Sequence, residues 1–333
     1  MIRIGVIGAG GIAGVHLENL KTFGNVKIAA LADPNERALK SRHDLFGGNA
    51  YRSLEEMLDT EDLDGVLLCT PAPTRLDPIR ACADRRVPLF IEKPPALDLE
   101  TASQVETILT EAELPHCVGF MYRWTQSVQK ARRIFEDRPL YALSSYYLCD
   151  MMYPEPRKML APTYYHKEQS GGLVGEQGIH LLDLFRFLTR SEADRAMAVS
   201  NNLQQPKTEE IDTEETVSML LSFENGVVAN HLHSWAYPGW EVGLRLFGEG
   251  VHLFIDLVAN RIVGAVDGVD FEEASTDSIH LAEMRAFIAY LESGDPAAIH
   301  STYPDAVKTL SLAAAVNQSL EEGRSLNLSE RDE

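Results

Sequence analysis

Apolar and polar positions along this chain fall into two rhythms. Through the first third, short apolar runs over 2–7, 26–32, 65–69, 89–91 and 117–120 alternate with helically periodic segments over 12–23, 36–46, 53–58, 76–84 and 99–112. Runs of that length, bounded by glycine, proline and polar clusters, read as strands, and the segments between them as helices. Ser53 followed by Glu56 has the spacing of a capping box and marks a helix start. Strands alternating with helices at this spacing predict βαβ units and a parallel sheet. The handedness of such crossovers makes the sheet doubly wound.

After about residue 122 the rhythm changes. A helical segment over 127–135 precedes a strand over 141–149 and a loop rich in proline and tyrosine, and 175–189 is a long amphipathic helix candidate. Period-two alternation then marks strands over 196–201, 216–223, 227–235, 242–247 and 251–257. Glu224-Asn225-Gly226 and Gly248-Glu249-Gly250 supply turns between them. Alternation means one buried face, so this half predicts a mostly antiparallel sheet with helices on one face. Helices over 279–292 and 304–322 close the chain. The expected division is a domain over 1–122 and a second over 123–333.

The first strand runs straight into Gly8-Ala9-Gly10-Gly11-Ile12-Ala13, and a helical pattern follows at once. That is the context of a dinucleotide-binding loop. Gly8 permits the tight turn, Gly10 lets backbone N–H groups approach a pyrophosphate, and Ala13 allows close helix–strand packing. The helix points its positive end at the phosphates. Asp33, at the end of the second apolar run, is placed to accept hydrogen bonds from both adenosine ribose hydroxyls. The same carboxylate meets the 2′-phosphate of NADP as a like charge, so NAD is the expected cofactor. NADP is left open by Arg37 a few residues on.

Composition narrows the class. The 333 residues leave room for two domains, and 45% apolar with 24% charged content is ordinary for a globular protein. A net charge of −20 argues against nucleic acid or anionic membrane as partner. The four cysteines (69, 82, 117, 149) lack metal-ligand spacing, and three lie in apolar runs, so buried thiols in a reducing compartment are expected. The first apolar run is too short for a secretory leader and no stretch has membrane-spanning length, so the expected location is cytoplasmic.

Three further stretches carry chemistry. Cys69-Thr70-Pro71 ends the third apolar run of the parallel sheet, where ligands of open α/β sheets bind. Glu92-Lys93-Pro94 ends the next, and Pro94 restricts the backbone from which Lys93 is presented as a proton carrier or hydroxyl-orienting group. In Gly171-Gly172-Leu173-Val174-Gly175-Glu176-Gln177-Gly178-Ile179-His180, Glu176 and His180 are four apart, on one helix face with Asp183 next along it. A carboxylate orienting an imidazole is a good base arrangement. Gly178 inside a helix costs about 1 kcal/mol relative to Ala, which hints at close approach of another group. His231, His233 and Trp235 share one strand face. No third ligand accompanies the histidines, so no metal is expected there and the face is read as packing on helices or on another subunit.

In order along the chain, Gly8 to Ala13, Thr70-Pro71, Glu92-Lys93-Pro94, Gly119-Phe120-Met121-Tyr122-Arg123, and Gly171-Gly172 followed by Glu176 to His180 resemble the Gfo/Idh/MocA family. That family is named for glucose–fructose oxidoreductase and inositol dehydrogenase. The resemblance implies a Rossmann domain followed by an α/β domain with an open sheet, and an NAD(P)-dependent oxidoreductase acting on a sugar, polyol or related hydroxyl or carbonyl compound. It places Lys93 and His180 on the family's catalytic lysine and histidine, and Glu176 where aspartate is usual. Cofactor contacts then fall to Gly8, Gly10, Gly11, Ile12, Ala13, Asp33, Arg37, Cys69, Thr70, Pro71, Glu92 and Lys93. Substrate contacts fall to Tyr122, Arg123, His166 and His180, with Tyr153 and Tyr165 as loop candidates. Arg75 departs from the histidine many members carry after Thr-Pro. A homodimer or homotetramer is implied by the same analogy. Two other readings fit the fold: a redox-neutral lyase or glycosidase using bound NAD, and a dinucleotide-binding regulator without turnover.

Overall fold

The computed structural model describes residues 1–151, 162–204, 207–209 and 211–329. The chain divides into two compact units, one of Met1–Met121 with Ser278–Val307, the other of Tyr122–Asp277 with Lys308–Glu333. The segment Ser278–Val307 thus groups with the first unit, which corrects the expectation that everything after residue 122 forms one domain.

In the first unit, β1 (Ile2–Ile7), α1 (Gly11–Leu20), β2 (Val26–Ala32), α2 (Glu36–Phe46), β3 (Asn49–Tyr51), α3 (Leu54–Thr60), β4 (Gly65–Leu68), α4 (Leu76–Asp84), β5 (Leu89–Ile91), α5 (Leu99–Glu111) and β6 (His116–Val118) follow one another. The sheet order is β3-β2-β1-β4-β5-β6, all parallel. Its central strands are buried on both faces, as parallel sheets require. Three of the helix starts are capped by side chains: Asn35, Ser53 and Asp98 accept backbone N–H groups at the heads of α2, α3 and α5.

The second unit holds α6 (Gln126–Ile134), β7 (Leu140–Asp150), the short α7 (Lys167–Ser170), α8 (Ile179–Thr189), β8 (Ala193–Asn201), β9 (Thr216–Phe223), β10 (Val228–Ser234), β11 (Ala236–Gly248), β12 (Val251–Asp256), β13 (Arg261–Val266) and β14 (Val269–Ala274). Then α9 (Ile279–Ser293) returns to the first unit and packs on α1 and β1. The last helix, α10 (Tyr303–Glu322), starts in the first unit and ends in the second, and β15 (Leu326–Asn327) completes the second sheet. That sheet runs β14-β13-β12-β11-β7-β10-β9-β8-β15, with only the β7–β10 pair parallel. Burial alternates along β9 and β10, leaving one sheet face inside and the other out. Every residue of α8 is buried, so its polar side chains must find partners.

Among the described residues, no helix is long and apolar enough to cross a membrane. All four cysteines are buried free thiols. Burial raises all four pKa values, those of Cys82 and Cys149 to about 12.

Candidate active site

The first unit gathers its candidate residues at the carboxyl ends of β1, β2, β4 and β5. Gly8 leaves β1 with φ +90°, and a Cβ there would lie 2.9 Å from the carbonyl of Cys69. Both the backbone conformation and the close approach therefore demand glycine. Cys69 contributes backbone rather than sulfur chemistry, its N–H donating to the Ile7 carbonyl at 2.8 Å. Gly10 and Gly11 differ from Gly8: nothing lies within 4 Å of a Cβ built on either. The protein's own packing does not require glycine at those two positions. They leave an open cradle at the start of α1, whose N-cap residue Gly10 offers no side-chain cap. Ala13 is buried beneath it and Ile12 packs on the core.

Asp33 accepts the Ala9 N–H at 2.6 Å and the Asn35 N–H at 2.7 Å, one on each carboxylate oxygen. Each oxygen keeps acceptor capacity for a ribose hydroxyl. Arg37 stands exposed on the first turn of α2. A cation the sequence reading missed, Arg42, donates to the carbonyls of Ala9 and Gly10 at 3.2 and 2.9 Å and braces the loop from behind. Thr70 Oγ1 is buried without a hydrogen-bond partner among the described residues. A buried hydroxyl left so at the mouth of the sheet fits a ligand group that completes it. Open glycines, a positioned carboxylate and an unsatisfied hydroxyl are what a bound dinucleotide needs.

Arg75 is the largest addition to the sequence reading. Its guanidinium is buried and donates to four carbonyls: Thr70 (2.9 and 2.7 Å), Lys93 (3.3 Å), Glu92 and Pro94. One side chain therefore ties the Thr70-Pro71 turn after β4 to the Glu92-Lys93-Pro94 turn after β5. The Lys93–Pro94 peptide is cis. The Lys93 N–H donates to Glu92 Oε2 at 3.1 Å, and Glu92 Oε1 lies 2.5 Å from His16 Nε2 on α1. Burial pushes the Glu92 carboxyl up. The hydrogen bond and charge of His16, with Lys93 and Arg75, outweigh it and hold the carboxyl below the usual range.

In the second unit, the Gly171-Gly172 pair takes left-handed backbone, φ +78° and +69°, and ends α7. The chain then enters a π-helical turn, Val174–Gly178, which leads into α8. Glu176 sits in that widened turn and His180 in the first turn of α8, so the α-helical spacing expected to align them is interrupted by one π-turn. Gly178 does mark a close approach: a Cβ there would lie 3.3 Å from Met219 Cε and 3.8 Å from His233 Nδ1. Gln177, which the sequence reading passed over, fastens the turn. Its Oε1 accepts the Trp235 indole N–H at 2.6 Å and lies 3.2 Å from His233 Nε2 and 3.6 Å from Cys149 Sγ.

His231 and His233 form a buried chain from Ser145 Oγ (2.7 Å) through the His231–His233 contact (3.2 Å) to Gln177. Burial lowers the pKa of His231 to about 3, and burial with the charges of His231 and His180 lowers that of His233 well below its ordinary value. This face of β10 packs on the helix through Gln177.

His180 is buried and meets Tyr122 edge-on at 5.7 Å between ring centroids. Burial pushes the Tyr122 phenol up, against its hydrogen bond with Tyr147, so the hydroxyl stays neutral. Arg123 and Asp183 pair with each other. Arg123, expected as a substrate ligand, is 3% exposed and pairs with Asp183 through Nε (2.7 Å) and Nη2. Asp183, expected on the Glu176–His180 face, is held by Arg123 and by the Thr309 hydroxyl at 3.1 Å. Both are drawn inward because α8 is buried all round and its carboxylate must be neutralised. His166 and Tyr165 are half-buried at the head of α7, and Tyr153 lies outside the described residues.

The family model for the oxidoreductase family with an NAD-binding Rossmann fold matches residues 2–120, and that for the GFO/IDH/MocA C-terminal domain matches 140–253. The chain belongs to the Gfo/Idh/MocA oxidoreductase family. It is 27% identical to a myo-inositol 2-dehydrogenase of Thermotoga maritima over 342 aligned positions, covering 99% of each chain. It is 24% identical to an inositol 2-dehydrogenase of Rhizobium meliloti, covering 98% of this chain and 99% of the relative. In fold it matches a scyllo-inositol dehydrogenase of Lactobacillus casei, solved with NAD(H) and scyllo-inositol, with TM-score 0.84 and 20% identity over 99% of this chain and all of that one. The protein is an NAD-dependent oxidoreductase of CH–OH groups.

Replacing Arg75 by alanine leaves four carbonyls without this donor in a buried site. Urea unfolding is expected to show a loss of about 3 kcal/mol, with weaker NADH binding. A variant within about 1 kcal/mol of wild type, binding NADH normally, contradicts the clamp.

Proposed function

We propose that this dehydrogenase oxidises a secondary hydroxyl of a sugar or inositol-like polyol, with Lys93 and His180 as its catalytic residues. The observation that carries the reading is Lys93 itself. It stands on a turn gripped through its own and both neighbouring carbonyls by Arg75, at the same end of the sheet as the open glycine cradle. An ammonium presented from so fixed a backbone can hold a substrate oxygen in one place. The substrate class rests on the full-length relatives named inositol 2-dehydrogenases.

Bound nicotinamide supplies the hydride acceptor. Lys93 donates hydrogen bonds to the reacting hydroxyl oxygen and stabilises the charge that develops on it. His180 takes the hydroxyl proton, and Glu176, one turn earlier in the helix, orients the substrate or the imidazole. Tyr122, neutral and stacked edge-on against His180, restricts the ring's rotation. Tyr122 and His166 offer polar contacts to the remaining hydroxyls.

The outward face of the second sheet supports the reading of an oligomer. Met197, Val199, Leu220, Val228, Leu232 and Phe247 are all exposed on it, from β8, β9, β10 and β11. A sheet face carrying this many exposed apolar side chains fits a second copy of the chain, as a homodimer or as the dimers of a homotetramer. The buried thiols and the net charge of −20 suit a cytoplasmic enzyme without nucleic-acid or membrane partners.

Lys93→Met keeps the stem and removes the charge. It is expected to lower kcat at least about 100-fold with myo-inositol and NAD, with little change in Tm. A near-normal rate makes Lys93 a surface residue. For the assembly, sedimentation is expected to give a dimer or tetramer, and Leu220→Lys with Leu232→Lys a monomer. A monomeric wild type removes the interface.

A further inference from the structure

Beneath the Lys93 turn lies a group of side chains that the reaction above does not use. His16 on α1, Glu92 after β5 and Glu283 on α9 each place one ligating atom within 4.8 Å of the others, and all three are buried. Glu283 is 2% exposed, and neither of its carboxylate oxygens has a hydrogen-bond partner among the described residues. The surroundings are apolar: Phe90 stands edge-on to His16 at 5.1 Å and to Phe287 at 5.8 Å. A Cβ on Gly119 would lie 3.0 Å from Phe90 and 3.5 Å from Glu92 Oε1.

Two carboxylates so close, out of water, do not both ionise. Glu92 has the better claim to the negative charge, because His16 and the Lys93 N–H both bond to it. Glu283 has none of these partners. An ionised Glu283 could only accept hydrogen bonds, whereas a neutral one can also donate. A metal ion is a poorer occupant of the same three side chains. The 2.5 Å separation of His16 Nε2 and Glu92 Oε1 is that of atoms sharing a proton, too short for two ligands about 2.1 Å from one ion in an open geometry.

We propose that Glu283 is a positioning residue for Lys93, held as a neutral carboxylic acid that completes the His16–Glu92 pair and so fixes the Glu92-Lys93-Pro94 turn from below. The proposal rests on the reading of Lys93 given above. Burial raises the carboxyl of Glu283 well above its ordinary value, with the charge of Glu92 adding to it. The titratable and charged groups around it are His16 from α1, Cys69 after β4, Arg75 at the head of α4, Glu92 and Lys93 after β5, Cys117 on β6, and His280 on α9 itself. Burial raises both thiols and lowers His280 to about 4, so these three stay neutral through pH 7. The charge balance then lies between Glu92 and the positive charges of His16, Lys93 and Arg75 that hold it, with Glu283 uncharged.

A raised folded-state pKa means that stabilisation by the neutral acid is complete below the unfolded value. It is lost as pH rises through the folded one. The Tm of Glu283→Gln, which cannot ionise, is therefore expected to gain on wild type as pH rises from the ordinary glutamate range through the raised folded-state value. A difference that does not change with pH overturns the proposal. Carbon-13 NMR of protein labelled at the glutamate carboxyl carbons is expected to show one protonated glutamate at pH 7 that is missing from Glu283→Gln. A spectrum with every glutamate ionised overturns it, as does a stoichiometric divalent cation in the purified protein that Glu283→Gln loses. NADH binding reads the positioning itself. Glu283→Leu is expected to weaken it at least tenfold and Glu283→Gln to recover that loss; Gln and Leu variants that bind alike leave Glu283 a packing residue. These outcomes are separate from the Lys93→Met rate, which tests the catalytic reading alone.

Discussion

The guanidinium of Arg75 holds together the turns at the carboxyl ends of β4 and β5. Parallel strands end in loops, and loops are ordinarily the least constrained backbone of an α/β sheet. Here one buried side chain spans the ends of β4 and β5 and satisfies four carbonyls that no strand or helix would pair. A buried cation is costly alone; surrounded by carbonyl dipoles and near the carboxylate of Glu92 it is compensated. The result is a turn whose backbone is held at Lys93 and at both its neighbours.

The same turn is held from the other side by side chains distant in sequence. His16 reaches it from the helix that starts at the glycine cradle, and Glu283 from α9, which the chain brings back after the whole second sheet has been made. The return of 278–307 also places Tyr303, whose hydroxyl donates to the Pro95 carbonyl at 3.1 Å, just past the lysine turn. In the second unit the logic is repeated with other residues. Gln177 locks the π-turn against Trp235, and Arg123 with Asp183 neutralises charge inside a fully buried helix.

What could be read in the sequence follows from the range of the interactions. The glycine loop, the parallel strands and the period-two strands of the second half are local signals, and they lie where the structure has them. Gly178 announced its close approach by its position in a helix. Asp267-Gly268, with φ +52° and +77°, is a two-residue turn of the kind that favours Asp-Gly, and it joins β13 to β14. Neither flanking strand is among those expected above, although β13 carries an apolar run and β14 opens by alternating Val269 and Phe271 with Asp270 and Glu272. β3, at three residues, is too short to show any period. Arg75 could be noticed as a departure from the histidine of related sequences, but its four acceptors are all backbone atoms and leave no trace in residue types. The pairing of Arg123 with Asp183 left no local signal, because cation and carboxylate lie 60 residues apart. Glu283 was invisible for the same reason, and because a charged residue on a helix is ordinarily on its wet face.

The central claim is net hydride transfer from substrate carbon to released cofactor. Incubating the enzyme with NAD and myo-inositol deuterated at every ring carbon tests it directly. The account predicts deuterium in NADH free in solution, in equal amount to an inosose product, and a slower rate than with unlabelled inositol. Deuterium that returns to the sugar product, or a reaction that releases no labelled NADH while consuming the substrate, contradicts the account and points to redox-neutral use of a bound cofactor.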